Sequence, residues 1–192
     1  MIMSFTTSTY VLLYMTTYAK TELGIGESAS FGASVANGLT GVFFALLGGL
    51  LADRFGRKPV MITARVLFLL AVYPSFTLII ANHDAATLIA ATGIMSAFSS
   101  TSVGIALVAL TESMRKDVRS TGLAILYAVV VAIFGGMAQP MVAWIMKLTG
   151  DPMAPAWYLM AAAAIGIAAM ALLKETKPEP LDDEDIAVAS LA

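Results

Sequence analysis

The chain of 192 residues contains no cysteine and one histidine, and only 12% of its residues are charged. Without cysteine it can form neither a disulfide framework nor a thiolate metal site. A soluble domain carries about a quarter charged residues, whereas this chain is 59% hydrophobic with a mean hydropathy of +0.85. Its basic residues lie in short loops and not on one face, which argues against a nucleic-acid partner. The composition therefore predicts an integral membrane protein in contact with lipid.

Long apolar stretches recur along the chain. A helix of about 20 apolar residues can cross a bilayer, and six such spans lie near residues 1–20, 29–52, 59–81, 86–110, 120–147 and 155–173. The predicted fold class is an all-α membrane protein with six transmembrane helices. Residues 1–174 are expected to form the transmembrane domain, and residues 175–192 an acidic, disordered cytoplasmic tail.

Lysine and arginine are unevenly distributed between the two sides that these spans define. One side carries eight of them: Arg54, Arg57, Lys58, Arg115, Lys116, Arg119, Lys174 and Lys177. The other side carries Lys20 and Lys147, while Arg65 falls inside the third span. Because basic residues accumulate in cytoplasmic loops, both termini are predicted to lie in the cytoplasm.

A dense group of charges separates the second and third spans, in Gly49-Leu50-Leu51-Ala52-Asp53-Arg54-Phe55-Gly56-Arg57-Lys58-Pro59. It predicts a tight loop, since glycine permits sharp turns, and Pro59 suits the first turn of the next helix. Eight of these residues match, position by position, the loop motif of the major facilitator superfamily of secondary transporters, which the chain resembles: Gly49, Leu51, Ala52, Asp53, Arg54, Gly56, Arg57 and Lys58. The resemblance implies that Gly49, Asp53, Arg54, Gly56 and Arg57 belong to a cytoplasmic gate.

The loop between the fourth and fifth spans carries a second pattern, in which six residues separate Glu112 from Arg119. It resembles the loop of the sugar-porter and metabolite-symporter branches of the superfamily. The resemblance implies that Glu112 and Arg119 pair with Arg57 or Asp53 when the cytoplasmic side is closed. A charge network that differs between two states would act as a gate. The alternative is a solvated loop with anchoring charges.

The fifth span contains Gly135-Gly136 shortly before Pro140, which predicts a bent or broken helix that exposes backbone carbonyls. Two further segments, Thr149-Gly150-Asp151-Pro152 and Pro155-Ala156-Trp157-Tyr158, accompany it, and Lys174-Glu175-Thr176-Lys177 follows the sixth span. Together they resemble the metabolite:proton symporter family. That family carries citrate and other carboxylates, alpha-ketoglutarate, shikimate, and proline or betaine.

The resemblance implies the C-terminal six-helix half of a twelve-helix transporter in the inner membrane of a bacterium, with an N-terminal half as its partner. The implied substrate is a small carboxylate such as citrate, carried together with protons. A compatible solute, a sugar-like substrate, or a stand-alone six-helix homodimer are the alternatives. Since no Asp or Glu lies inside a span, the proton-coupling carboxylate is expected in the other half.

An enzyme is not expected, because the chain lacks cysteine, a membrane-embedded histidine and an intramembrane acid pair. No cofactor or metal is predicted either. Polar side chains inside the spans are instead the candidate substrate ligands, since polar groups that face lipid are costly. These candidates are Tyr10 and Tyr14 in a hydroxyl-bearing face of span one, Asn37 in span two, and Gln139 near the predicted bend. Hydrogen bonding between helices is the alternative role for each.

Three further features have predicted roles in packing. The small residues of span two, such as Gly32, Gly41 and Gly48, favour close helix contacts. The hydroxyls of span four are expected to bond to backbone carbonyls of their own helix, with Ser99 and Thr101 as alternative cavity residues. Arg65 lies roughly 10 Å into span three and is expected to snorkel to the cytoplasmic surface or to bind the loop motif; pairing with an anionic substrate is the alternative.

Overall fold

The computed structural model describes residues 1–113 and 119–172, except for the side chains of Ala29, Glu112, Ser113 and Arg119. Its helices are α1 (Ile2–Thr21), α2 (Glu27–Phe55), α3 (Arg57–Asn82), α4 (Ala85–Ser113), α5 (Arg119–Val130), α6 (Gly136–Thr149) and α7 (Ala154–Ala171). A π-helical turn at Val131–Gly135 joins α5 to α6, so that they run as one long span. Within these ranges there are helices and no strands, which confirms the predicted all-α class.

Five spans of the described chain are long and apolar enough to cross a membrane: Ser30–Phe55, Arg57–Asn82, Ala85–Thr111, Ser120–Thr149 and Ala154–Ala171. The first helix, α1, is 20 residues long but rich in Ser and Thr, and it is less apolar than the others. It packs against α2, α4, α5, α6, α7 and the π turn. These neighbours give the polar helix a protein environment in place of lipid, as burial of polar groups requires.

The start of α1 and the end of α7 lie at the same end of the bundle. Phe5 of α1, Ala52 of α2, Met61 of α3 and Met170 of α7 belong to one buried apolar cluster. The connection between α2 and α3 is therefore also at this end. An even number of crossings produces this arrangement, and the assignment of this end to the cytoplasm stays a prediction.

The α2–α3 connection consists of a single residue, Gly56, between Phe55 and Arg57. Its φ is 92°, and its N–H donates to the carbonyl of Ala52 at 2.9 Å. Only glycine adopts this backbone conformation without strain. The predicted tight loop is thus confirmed, with Pro59 in the first turn of α3.

Small residues let α2 pack closely along α4. A Cβ atom on Gly48 would lie 2.6 Å from the carbonyl oxygen of Thr101, and one on Gly41 would lie 3.3 Å from Ser100 Oγ. Such close approach is a principal source of helix association inside a bilayer. Two hydroxyl bonds also cross this seam. Ser96 Oγ donates to the carbonyl of Asn37 at 2.9 Å, and Thr101 Oγ1 donates to the carbonyl of Phe44 over a longer 3.4 Å.

Candidate functional site

A cavity of about 270 Å³ lies between α1, α4 and α5, and we call it the inner cavity. Its polar groups are hydroxyls, contributed by Thr6, Thr9 and Tyr10 of α1 and by Tyr127 of α5. Phe5 and other apolar side chains of α1, α4 and the π turn complete the lining, and no charged side chain of the described residues takes part. The side chains of the inner cavity can therefore offer hydrogen bonds and aromatic rings to a ligand.

The π turn forms part of the wall of this cavity through Val131, and its last residue, Gly135, packs against α1. A Cβ atom on Gly135 would lie 2.7 Å from Cε2 of Tyr10 and 3.0 Å from Cγ2 of Thr6. Glycine is thus required for this close approach. The predicted break near Gly135-Gly136 is a π turn instead: the helix widens locally and continues. Such turns often occur at functional sites.

Gln139 follows the π turn by one helical turn and reaches back to α1. Its Nε2 donates to the backbone carbonyl of Tyr10 over 3.5 Å, a long and weak hydrogen bond. Pro140 lies next to it inside α6 and has no N–H to donate to the carbonyl of Gly136. The structure therefore brings two of the predicted substrate ligands, Tyr10 and Gln139, into contact.

The other two predicted ligands lie elsewhere. Tyr14 lines a second cavity of about 550 Å³ at the opposite end of the bundle, the outer cavity, together with Glu22, His83, Lys147 and Asp151. Asn37 lines neither cavity, and its backbone carbonyl accepts the bond from Ser96. Gln139 contacts Tyr10 but does not line the inner cavity either, so a ligand there would meet Tyr10 and none of the other three predicted ligands.

Thr9 and Tyr127 are lining residues that sequence reasoning missed. Thr9 lies three residues after Thr6, so the helical period could have indicated a shared face. Tyr127 carries the one side-chain hydroxyl in the apolar stretch 123–133, and its polarity there could have indicated a lining role.

The hydroxyl of Thr101 in α4 bonds as the sequence predicted. It donates to the carbonyl of Ala97 at 2.8 Å, within its own helix.

An exposed ion pair joins α1 to α2 near the outer cavity. Lys20 Nζ donates to Glu27 Oε1 at 2.6 Å. This hydrogen bond and the charge of Lys20 hold the pKa of the Glu27 carboxyl below its usual value. The stability that it contributes is therefore present above the unfolded pKa of Glu27 and is lost as the pH falls through the lowered value. Exposed pairs of this kind contribute little.

The predicted gate is described only in part. Lys58 Nζ donates to the carbonyl of Ala171 at 2.9 Å, which links the start of α3 to the end of α7. Arg54 lies with its guanidinium carbon 5.5 Å from the ring centre of Phe55, and Asp53 belongs to the last turn of α2. Gly49 faces open space, unlike Gly48.

Two of the predicted gate residues, Glu112 and Arg119, flank the connection between α4 and α5. The side chains of Glu112 and Arg119, and the connection at 114–118, lie outside the described residues. Their pairing with Arg57 or Asp53 stays a prediction, as does the acidic tail over 175–192, which also lies outside.

Arg65 does not snorkel, and that expectation is wrong. Its side chain is 0% exposed, because α1 supplies hydrogen-bond partners at the depth where it lies. Arg65 Nη2 donates to the carbonyl of Ser4 at 2.7 Å, and to the hydroxyls of Ser4 and Ser8 at 2.6 Å each. The rings of Phe5 and Phe68 lie 5.0 and 4.7 Å from the guanidinium carbon. Arg65 lines neither the inner nor the outer cavity.

Comparison with known proteins gives a consistent group of relatives. Residues 1–189 match the family model described as Major Facilitator Superfamily. The citrate-proton symporter of Salmonella typhi is 32% identical over 171 residues, which are 89% of this chain and 39% of that protein. The proline/betaine transporter of Salmonella typhimurium is 33% identical over 177 residues, 90% of this chain and 34% of that protein. The chain thus spans 34% to 39% of the length of these two relatives.

Proposed function

Because the chain belongs to the Major Facilitator Superfamily, we propose that it forms half of a proton-coupled symporter that carries a small carboxylate such as citrate. Its relatives are transporters and not enzymes. The observation that carries the proposal is the inner cavity, whose hydroxyls belong to α1 and α5 and whose wall includes the π turn. Hydroxyl groups donate hydrogen bonds to carboxylate oxygens.

The exposed faces of the bundle support a second half. In their most apolar stretches, only 11% of the residues of α2 and 11% of those of the α5–α6 span are buried, against 50% in α4. We propose that an N-terminal six-helix half covers these two helices and that the two halves rock about the inner cavity. That half would supply the cation for an anionic substrate and the carboxylate for proton coupling. In this arrangement both termini are cytoplasmic, in a bacterial plasma membrane.

A compatible solute is the second candidate substrate, and the lining of the inner cavity favours it in one respect. Phe5, Tyr10 and Tyr127 bring aromatic rings to a cavity without charged side chains among the described residues. Aromatic faces attract quaternary ammonium groups, which betaine has and citrate lacks. The relatives include proteins of both kinds at similar identity.

The two substrates can be separated by uptake into proteoliposomes. The chain would be co-expressed with the N-terminal six-helix half of the Salmonella typhi symporter, and uptake of labelled citrate, betaine and proline measured under an imposed proton gradient. We expect citrate uptake that a protonophore abolishes. Uptake of betaine without citrate would replace the first proposal with the second, and uptake of no substrate under any gradient would refute both.

A matched pair of variants tests whether the inner cavity holds the substrate. Thr9→Val removes a hydroxyl from its lining, whereas Thr16→Val removes one from the same helix outside that lining. We expect Thr9→Val to raise the KM for uptake and Thr16→Val to leave it unchanged. An equal effect of the two variants would place the substrate elsewhere.

A further inference from the structure

Arg65 is the only fully buried charged side chain in the described part of the chain, and it lies outside both cavities. We infer that Arg65 is a positioning residue, which fixes the rotation of α1 and thereby the lining of the inner cavity. Only the expected effect of Arg65 on uptake rests on the proposed transport function. The structural part of the inference concerns three helices, α1, α3 and α7.

The serines that Arg65 binds lie on the face of α1 opposite three of the residues that line the inner cavity. Phe5 lies between the two faces, since it lines the cavity and its ring centre is 5.0 Å from the guanidinium carbon. Ser4 and Ser8 are four residues apart and share one face. At 3.6 residues per turn, Thr6, Thr9 and Leu13 lie roughly 140° to 180° around the helix from Ser4. All three line the inner cavity. Holding the serine face against α3 therefore determines which side chains of α1 face the cavity.

The attachment tolerates little rotation, because the guanidinium has few other partners. Nε and Nη1 of Arg65 are buried and have no hydrogen-bond acceptor among the described residues. Ser4 and Ser8 are thus the acceptors that stabilise this charge, and hydrogen bonds to a charged donor are stronger than neutral ones. Turning α1 away would leave a buried charge without partners, which is strongly unfavourable.

Helix α7 closes this arrangement from a third side. A Cβ atom on Gly166 would overlap the side chain of Ser4 and lie 3.8 Å from Nε of Arg65. Gly166 therefore allows α7 to pack directly on the pair formed by Arg65 and Ser4. The contact leaves Ser4 no room to move toward α7, so that α1 is held between two helices.

Arg65 also links the α2–α3 loop to the inner cavity. It lies eight residues after the first residue of α3, Arg57, which corresponds to roughly 12 Å along the helix. A displacement of the loop would move α3 as a body and would be transmitted to α1 through the serine bonds. The cavity lining would then follow the position of the loop.

The absence of native cysteine permits a direct test on the chain itself. A cysteine is introduced at Thr9, on the cavity face, or at Ala86 near the outer end of α4 as the control site. The rate of labelling by a water-soluble maleimide is then measured with Arg65 present and in Arg65→Met. An apolar replacement of similar size is often tolerated at a buried charge.

We expect Arg65→Met to change the labelling rate at Thr9→Cys by about fivefold or more, as a coupling of modest size between two sites produces, with no change at Ala86→Cys. Arg65→Lys keeps the charge but replaces the guanidinium, whose Nη2 reaches both serines, with a compact ammonium. Its labelling rate at Thr9→Cys should lie between those of the Arg65 and Arg65→Met chains. Unchanged labelling at Thr9→Cys in a folded Arg65→Met chain would overturn the inference.

Two further measurements cover the remaining outcomes. If Arg65→Met does not fold, Ser8→Ala removes one acceptor of Arg65 and should change the labelling rate at Thr9→Cys; an unchanged rate would overturn the inference. In the assembled transporter, Arg65→Met should raise the KM more than it lowers kcat, and Arg65→Lys should partly restore it. The two proposals can fail separately. If Arg65→Met changes the labelling rate but the unmodified chain transports none of the substrates, the proposed function is refuted and the positioning role is supported.

Discussion

The chain contains two Gly-Gly pairs, Gly48-Gly49 in α2 and Gly135-Gly136 at the end of the π turn. In both pairs the first glycine lies against another helix, whereas the second has open space. Gly48 meets the backbone of Thr101, but Gly135 meets the side chains of Tyr10 and Thr6. The two pairs therefore have different roles. The backbone contact of Gly48 fixes the distance between α2 and α4, whereas the side chains that Gly135 contacts can move and change the shape of the inner cavity.

The largest effect should come from Gly48→Ala. The added Cβ would lie 2.6 Å from the carbonyl oxygen and 3.0 Å from the Cα of Thr101, and backbone atoms cannot rotate away. We expect α2 and α4 to separate, with a loss of about 1–3 kcal/mol in the free energy of unfolding, measured in detergent. Gly49→Ala is the matched control and should cost nothing, since its Cβ meets open space. Equal stability of the two variants would refute the α2–α4 seam.

Gly135→Ala should cost less stability and change the cavity more. Its Cβ would lie 2.7 Å from the ring of Tyr10, which can shift by rotation about its side-chain bonds. We expect a loss of about 1 kcal/mol together with a changed maleimide labelling rate at Thr9→Cys, while Gly136→Ala changes neither. A loss as large as that of Gly48→Ala, with unchanged labelling, would remove the distinction between the two pairs.

The sequence predicted which segments are helices but not how each helix is rotated. Hydropathy placed every span within a few residues of its helix, and the charged loop predicted the sharp turn at Gly56. Neither signal distinguishes Gly48 from Gly49, because both glycines are small and adjacent. The rotation is decided by contacts between helices, which hydropathy does not record.

The sequence also did not show how deep in the bundle each polar side chain lies. Tyr10 and Tyr14 are four residues apart and share a face, yet roughly 6 Å of rise separates them, and they line different cavities. Arg65 was expected at the surface because its distance from the loop permits snorkelling. The serines that hold it instead belong to a helix 57 to 61 residues earlier in the chain, and no local pattern indicates that pairing.

A hydrogen bond should contribute less to the α2–α4 seam than close packing does. Ser96→Ala removes the bond to the carbonyl of Asn37, and bonds between membrane helices are worth about 0.6 kcal/mol on average. Ser102→Ala is the control, because its hydroxyl bonds to carbonyls of α4 alone. In denaturant unfolding, Gly48→Ala should lose clearly more free energy of unfolding than Ser96→Ala. The reverse ranking would mean that polar bonding and not glycine holds the seam.

The smallest effect on stability should come from Gln139→Met, at the π-turn contact. The bond from Gln139 to the carbonyl of Tyr10 is 3.5 Å long, so its loss should cost less than about 0.5 kcal/mol. If Gln139 contacts the substrate, Gln139→Met should nevertheless raise the KM for uptake severalfold, because a buried ligand group would lose its partner. Measuring unfolding and uptake on the same preparation separates the two roles. A loss of stability with an unchanged KM would leave Gln139 as a packing residue of the π turn, and the inner cavity would then rely on the hydroxyls of α1 and α5 alone.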